Sequence, residues 1–283
     1  MGIYWLASYP KSGNTWFRTF LRNLLQDGDV PVDINELHTG SIASARGWLD
    51  EVLGFDTAEL AADEVERLRP DVYRWDAQSE ETGYHKIHDA YTMTVDGEPL
   101  VSREATCGAL YLLRNPLDVA PSLANHNHIS IDAAIKTMAD IDHAIGRSRT
   151  GLPDQVRQRL LSWSSHVLSW VDADGLDVHP IRYEDMIERP VSTFTAAARF
   201  LQLPDEPARI AKAIRFSEFG ELSRQEKERG FRERPPRTRH FFREGRSGGW
   251  RETLSADQVA KIIADHGEVM RRFGYLDERG EPV

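Results

Sequence analysis

Four short stretches carry residue types that could move a charged group from an anionic donor to a hydroxyl. The first is YPKSGNT, Tyr9 to Thr15, between the apolar run IYWLAS (3–8) and NTWFRTFLRNLLQ (14–26). The apolar run reads as a buried strand. Trp16, Phe17, Phe20, Leu21, Leu24 and Leu25 have helical spacing, with Asn14 or Ser12 available as the cap. A strand-to-helix turn offers backbone N–H groups and a helix dipole to an anion. Small residues let the backbone approach closely, Lys11 adds charge, and Ser12 and Thr15 add hydroxyls. The stretch lacks the G-x-x-x-x-G-K-[ST] spacing of a nucleotide hydrolase. The competing reading is a helix start that happens to hold a lysine.

The second stretch is YHKIHD, residues 84–89. In a strand, Lys86 and His88 share one side while His85 and Ile87 take the other. A neighbouring lysine disfavours the imidazolium, so His88 stays able to accept a proton, as a general base must. A pair of surface polar residues fits equally. The third is YLLRNPLDVAPS, residues 111–122. Arg114 stands where a strand turns into a helix, suited to a bidentate phosphate contact, and Ser122 follows about two helical turns later. An Arg114–Asp118 ion pair is the alternative. The fourth is FFREGRSGGW, residues 241–250, whose glycines, arginines and aromatics suit a loop wrapped around an anion. An ordinary charged surface loop competes with that reading.

The elements that must position these residues alternate between strand and helix. Strands are expected at 3–8, 84–88, 108–113 and 177–182. Helices are expected at 14–26, from Pro116 with a kink or break at Pro121, and at 131–148, 154–173, 191–202, 206–215, 217–229 and 255–273. Weaker helical periodicity covers 41–54 and 57–69. Ser255 is the expected cap of the last helix. The alternation predicts an α/β fold with a central, mainly parallel sheet flanked by helices. NHNH, residues 125–128, reads as a helix terminus and not as a metal site; Trp163 and Trp170 read as core.

The chain has 283 residues, a net charge of −10 and one cysteine, Cys107. These values argue against a general nucleic-acid partner, an internal disulfide and a Cys-based zinc site. The absence of a signal-like segment or a membrane-length apolar run leads to the expectation of a cytoplasmic protein without stable membrane insertion.

In this order the stretches resemble the cytosolic-type sulfotransferases that use 3′-phosphoadenosine 5′-phosphosulfate (PAPS), with bacterial members the nearest in flavour. YPKSGNTW is similar to the family's YPKSGTTW loop, KIH to its K-T-H segment, and RNPLDVAPS to its R-N-P-x-D-x-x-x-S pattern. RYEDM (182–186) resembles its Y-E-D segment, and FREGRSGGW its R-K-G-x-x-G-x-W loop. The resemblance implies a single P-loop-like, three-layer domain over 1–283. Its acceptor side would involve 28–80 and 125–150, and its cofactor-binding loop 230–250. It implies His88 as general base, Lys11 at the leaving phosphate and Lys86 at the transferring group. It implies that Ser12, Gly13, Asn14 and Thr15 bind the 5′-phosphate, and that Arg114, Ser122, Arg243 and Gly245 bind the 3′-phosphate. Trp16, Phe219 and Tyr183 would meet the adenine. The implied reaction transfers a sulfuryl group to a small-molecule hydroxyl or amine, releases PAP and requires no metal.

Three departures from the pattern stand out. Asn14 replaces a threonine, and Glu244 occupies a cofactor-loop position where the family has lysine, with Arg246 nearby in sequence. RETLSADQVA departs from the usual dimer motif, so the oligomeric state stays open. Phe55, Trp48, Trp75, Tyr91 and Phe231 are candidates for an apolar acceptor pocket, with core or surface as the competing reading. A P-loop kinase and a non-catalytic nucleotide-binding protein are the competing functions.

Overall fold

Six consecutive buried residues, Ile3 to Ser8, form the first strand of the computed structural model, which describes residues 2–146, 151–235 and 238–283. Burial along the whole of β1 (Ile3–Ser8) fits its unbroken apolar sequence, as expected for an inner strand of a parallel sheet. The elements then run α1 (Asn14–Gln26), α2 (Arg46–Leu53), α3 (Ala62–Asp76), β2 (Gly83–Ile87), β3 (Thr106–Leu113), α4 (Pro116–Asn127) and α5 (Ile131–Ala139). They continue β4 (Ala144–Ile145), β5 (Gln158–Arg159), α6 (Trp163–Val171), β6 (Val178–Arg182), α7 (Tyr183–Glu188), α8 (Pro190–Phe200), α9 (Pro207–Phe216), α10 (Phe219–Arg229), α11 (Trp250–Thr253) and α12 (Ala256–Arg272). The fold is mixed α/β: a central parallel four-stranded sheet, in the order β2-β1-β3-β6, is flanked by helices.

Contacts divide the chain into two compact units. The first comprises Met1–Tyr9, Gly40–Tyr111 and Met138–Pro180; the second comprises Pro10–Thr39, Leu112–Thr137 and Ile181–Val283. In the first unit, β1 pairs with β2 in parallel from Ile3↔Gly83 to Ala7↔Ile87. Trp5 of β1 meets Tyr73 of α3 edge-on, with ring centroids 4.9 Å apart. Tyr111 of β3 donates or accepts a 2.8 Å hydrogen bond with His166 of α6. A buried ion pair, Arg69–Asp89 at 2.6 Å, ties α3 to the segment after β2. In the second unit, Phe17 and Phe20 of α1 pack on Phe194 of α8. Phe231, Phe241 and Phe242 cluster with Ile34 and Leu222.

The main strands and most helices fall where the sequence places them, and α1 does so residue for residue. Four expectations change, the break at Pro121 among them. The N-cap of α1 is Gly13, with no side-chain cap, in place of Asn14 or Ser12. The helix expected over 131–148 ends at Ala139, with residues 147–150 outside those described, and the one expected over 154–173 starts only at Trp163. Between them, β4 pairs antiparallel with β5, and Gly146 adopts a φ of 78° against the Val156 carbonyl, a geometry no helix supplies. The short helix α7, opening on Tyr183, has no counterpart among the expected elements. Helix α4 runs through Pro121 in one span, and Ser255 caps α12 in a capping box with Gln258. Among the described residues, no helix is long and apolar enough to cross a membrane.

Candidate functional site

In the first unit, the candidate base is positioned by strand register. Because Ala7 pairs with Ile87, the next residues, Ser8 and His88, come side by side as β1 and β2 end. His88 Nδ1 lies 2.8 Å from the Ser8 carbonyl and 3.2 Å from Ser8 Oγ. A carbonyl only accepts, so Nδ1 carries the hydrogen and the ring's lone pair sits on Nε2. Lys86 lies in β2 opposite Leu6, and its carbonyl accepts from the Ala43 N–H at 2.9 Å. Lys86 and His88 are half-buried while His85 and Ile87 are buried, the alternation expected of a strand. His85 lies 2.9 Å from Asp76 Oδ2 and 3.0 Å from the Ser41 carbonyl, which marks it as structural.

In the second unit, the turn before α1 has the backbone of an anion cradle. Lys11 has φ 73° and Gly13 φ 95°, two left-handed residues of the kind that let backbone N–H groups converge on an anion. The first helical turn leaves N–H groups without intrahelical acceptors, and no side chain caps them. Ser12 is 1% exposed, yet its Oγ has no hydrogen-bond partner among the described residues. Asn14 and Thr15 are buried in the first turn of α1. A Cβ on Gly13 would lie 2.7 Å from the Tyr183 ring, so only glycine lets these two close. Trp16 meets Tyr183 edge-on at 5.5 Å.

Arg114 joins that turn to two other parts of the same unit. Its Nη1 donates to the Lys11 carbonyl at 3.1 Å, and its Nη2 to the Arg246 carbonyl at 3.3 Å. Its guanidinium lies 4.3 Å from the centre of the Tyr183 ring, while its buried Nε has no partner among the described residues. The alternative Arg114–Asp118 pair gives way to another arrangement: the Asp118 carboxylate accepts the Gly248 N–H at 2.8 Å and the Trp250 N–H at 3.0 Å. Asp118 thereby anchors the C-terminal loop to α4. Burial pushes the Tyr183 phenol up, opposed by Arg114. Burial likewise raises the Glu184 carboxyl, against hydrogen bonds from the Asn115 N–H and the Tyr275 hydroxyl.

The loop itself is partly self-neutralised. Glu244 pairs with Arg243 at 2.6 Å and with Arg246 at 3.3 Å, and Arg246 also pairs with Glu252 at 2.6 Å. Gly245, at φ 60°, lies against Phe219 so closely that a Cβ would reach 2.2 Å from the ring. Ser122 sits half-buried on α4. The Lys11 ammonium lies 4.3 Å from the centre of the Phe241 ring and 3.5 Å from His126 Nδ1. NHNH is indeed the end of α4, with His128 as its left-handed cap.

Several contributors escaped sequence reasoning. Ser8 acts through its backbone, which no motif encodes, and Asp118 acts across 130 positions. His126 and Phe241 reach Lys11 only after folding. Of the pocket candidates, Phe55 and Trp75 are exposed, Trp48 stacks on His85, Tyr91 packs on Trp170, and Phe231 belongs to the buried aromatic cluster.

The description "Sulfotransferase domain" fits residues 3–274 of the chain as a family model. Flavonol 3-sulfotransferase of Flaveria bidentis is 23% identical over 279 residues, spanning 91% of this chain and 78% of that protein. Sulfotransferase 1B1 of Canis lupus familiaris is 25% identical over 267 residues, spanning 91% and 79%. A mouse sulfotransferase solved in complex with PAP superposes with a TM-score of 0.61 at 18% identity, covering 99% of this chain and 86% of that one. Retinol dehydratase, solved with androsterone and PAP, gives 0.61 at 16% identity, over 95% and 80%. The structural likenesses establish the shared P-loop-like fold, and the family model spans every motif from the Lys11 turn to the Trp250 loop. The chain therefore belongs to the sulfotransferase domain family, and its chemistry is enzymatic sulfuryl transfer.

Proposed function

We propose that the chain transfers the sulfuryl group of PAPS to a hydroxyl, or an amine, of a small-molecule acceptor by in-line displacement, with His88 as general base. The observation that carries this reading is the tether from His88 Nδ1 to the Ser8 carbonyl, which puts the basic lone pair on Nε2. A protein that only binds nucleotide needs no such group. PAPS supplies an activated sulfuryl group on a phosphate leaving group.

The second unit's residues fit the anionic donor. The buried Ser12 hydroxyl, without a partner among the described residues, and the left-handed backbone at Lys11 and at Gly13 suit a phosphate that displaces no side chain. Ser12, Gly13, Asn14 and Thr15 would hold the 5′-phosphate, and Arg114, Ser122, Arg243 and Gly245 the 3′-phosphate. Trp16, Tyr183 and Phe219 would face the adenine. Glu244 opposes the 3′-phosphate by competing for Arg243 and Arg246.

In the reaction, His88 Nε2 takes the acceptor's proton as the acceptor oxygen or nitrogen attacks. Lys11 leaves its place beside Phe241 and His126 to neutralise charge on the departing phosphate oxygen, while Lys86 neutralises the transferring oxygens. Positioning and cations then supply most of the rate, as in phosphoryl transfer. The whole chain acts as one catalytic domain.

The test has two parts. Thermal shift with PAP, PAPS and ATP should show stabilisation by the first two only. Labelled PAPS, offered with a panel of alcohols, phenols and amines, should give labelled product. Stabilisation by ATP alone would favour a kinase, and PAP binding without transfer to any panel member would leave only a binding protein.

A further inference from the structure

Around His88 the first unit contains further buried polar groups, among them His166, Arg69 and Trp170, which lie outside the four stretches. His166 of α6 is 0% exposed, and its Nε2 lies 3.0 Å from the His88 carbonyl. Its Nδ1 lies 2.8 Å from the hydroxyl of Tyr111, which is also 0% exposed. One proton assignment satisfies both contacts. The carbonyl accepts, so Nε2 carries the hydrogen; Nδ1 is then the acceptor, and the Tyr111 hydroxyl donates. Burial supports the neutral ring, pushing His166 down to about 4, and burial also keeps the Tyr111 phenol protonated.

The residues after His88 are held in the same way. Asp89 binds the Arg69 guanidinium through both oxygens, at 2.9 and 2.6 Å, and its Oδ1 accepts the Arg159 N–H at 3.3 Å. Trp170 Nε1, from the same helix as His166, donates to the Asp89 carbonyl at 2.9 Å. The Ala90 N–H donates to the Arg159 carbonyl at 2.8 Å. Strand β2 ends at Ile87, so His88 lies outside its ladder and needs other partners to fix its backbone.

We propose that His166, oriented by Tyr111, is a positioning residue for His88: it fixes the backbone of the base while Ser8 fixes its ring. His88 is thus held at two points, its ring through Nδ1 and its backbone through the carbonyl. Loss of the His166 N–H frees the carbonyl and lets the ring swing away from the acceptor. A displacement of about 1 Å at a catalytic group lowers turnover on the order of a hundredfold. The inference rests on the reading of His88 as the base.

The experiment compares His166→Met, His166→Gln and Tyr111→Phe in the full-length protein, using the best acceptor of the panel above. Gln keeps an N–H donor at the reach of Nε2, whereas Met fills similar space without one. For His166→Met, kcat should fall roughly ten- to a hundredfold with both KM values within about twofold, since only the base is displaced. His166→Gln should recover most of that loss. Tyr111→Phe, which removes one oxygen and keeps the ring, should lower kcat in the same direction and serves if His166→Met does not fold. Wild-type kcat in both His166→Met and Tyr111→Phe, equal impairment of the Met and Gln variants, or KM rising in step with the loss would overturn the positioning role. His88→Ala is measured alongside. Full turnover in it would sink the base reading and the inference with it; an inactive His88→Ala beside unimpaired His166→Met and Tyr111→Phe would sink the inference alone.

Discussion

Replacing Gly13 with alanine tests whether the turn before α1 is built around a glycine. Gly13 has φ 95°, and a Cβ there would lie 2.7 Å from Tyr183 Cδ2, 3.2 Å from Tyr183 Cε2 and 3.1 Å from Met186 Cε. The methionine end can move. The Tyr183 ring cannot do so without cost, because it meets Trp16 at 5.5 Å and the Arg114 guanidinium at 4.3 Å. A left-handed Cβ costs about 1–2 kcal/mol and overpacking about 1–3 kcal/mol, so a loss on the order of 2–5 kcal/mol is expected. Urea denaturation measures that loss. Calorimetry with PAP should show affinity reduced at least about tenfold, the equivalent of about 1.4 kcal/mol, because Tyr183 and Arg114 shift with the turn. Gly220→Ala is the control: it lies in α10 with nothing within 4 Å of its added Cβ. That variant, in the first turn of the helix, should be at least as stable as the wild type. If Gly13→Ala matches the wild type in both stability and PAP affinity, the turn is not the tight cradle described.

Three further outcomes follow from the same contacts. Glu244→Lys should tighten PAP binding roughly tenfold and make it more salt-sensitive, because the arginines lose an internal competitor and the loop gains a cation; unchanged or weaker binding in low salt would remove Glu244 from the phosphate's surroundings. Arg69→Met strands the buried Asp89 carboxylate and should cost about 3–5 kcal/mol in urea, with Arg69→Met/Asp89→Leu recovering most of it; equal losses in the single and double variants would speak against the pair. His166 and His266 are each pushed down by burial to about 4, below the unfolded value of about 6.5. The unfolded chain therefore takes up protons first as pH falls, so this stability is full above pH ~6.5 and lost toward pH ~4, on the order of 3 kcal/mol for each imidazole. Urea midpoints that stay level between pH 7 and pH 5 would contradict it.

Local pattern made the frame of this protein readable, and long-range pairing hid much of the site. The helix after the Lys11 turn was legible because its six apolar residues keep one period throughout. The stretch around 140–160 was not, because its two-residue strands pair with each other and leave no period to read. Gly13, not a polar side chain, precedes α1, since a left-handed backbone there takes precedence over capping. Lys86 and His88 could be assigned one side by alternation alone, but the Ser8 partner needed the register of β1 on β2. Arg114 could be read from the sequence as a candidate anion ligand; its bonds to the Lys11 and Arg246 carbonyls and its stacking on Tyr183 could not. Asp118 looked like its ion-pair partner because they are close in sequence, whereas folding supplies two backbone amides as stronger claimants. His166 carried no signal beyond its place in an apolar helix.

If His88 is the general base, it removes the acceptor's proton and takes no part in holding the donor. Single-turnover transfer from labelled PAPS, measured for wild type and His88→Ala beside the PAP dissociation constant of each, tests it most directly. The transfer rate should fall about a hundredfold or more, the scale of general-base catalysis, with the dissociation constant within about twofold. Transfer at the wild-type rate, or a loss matched by an equal loss of PAP affinity, would contradict it.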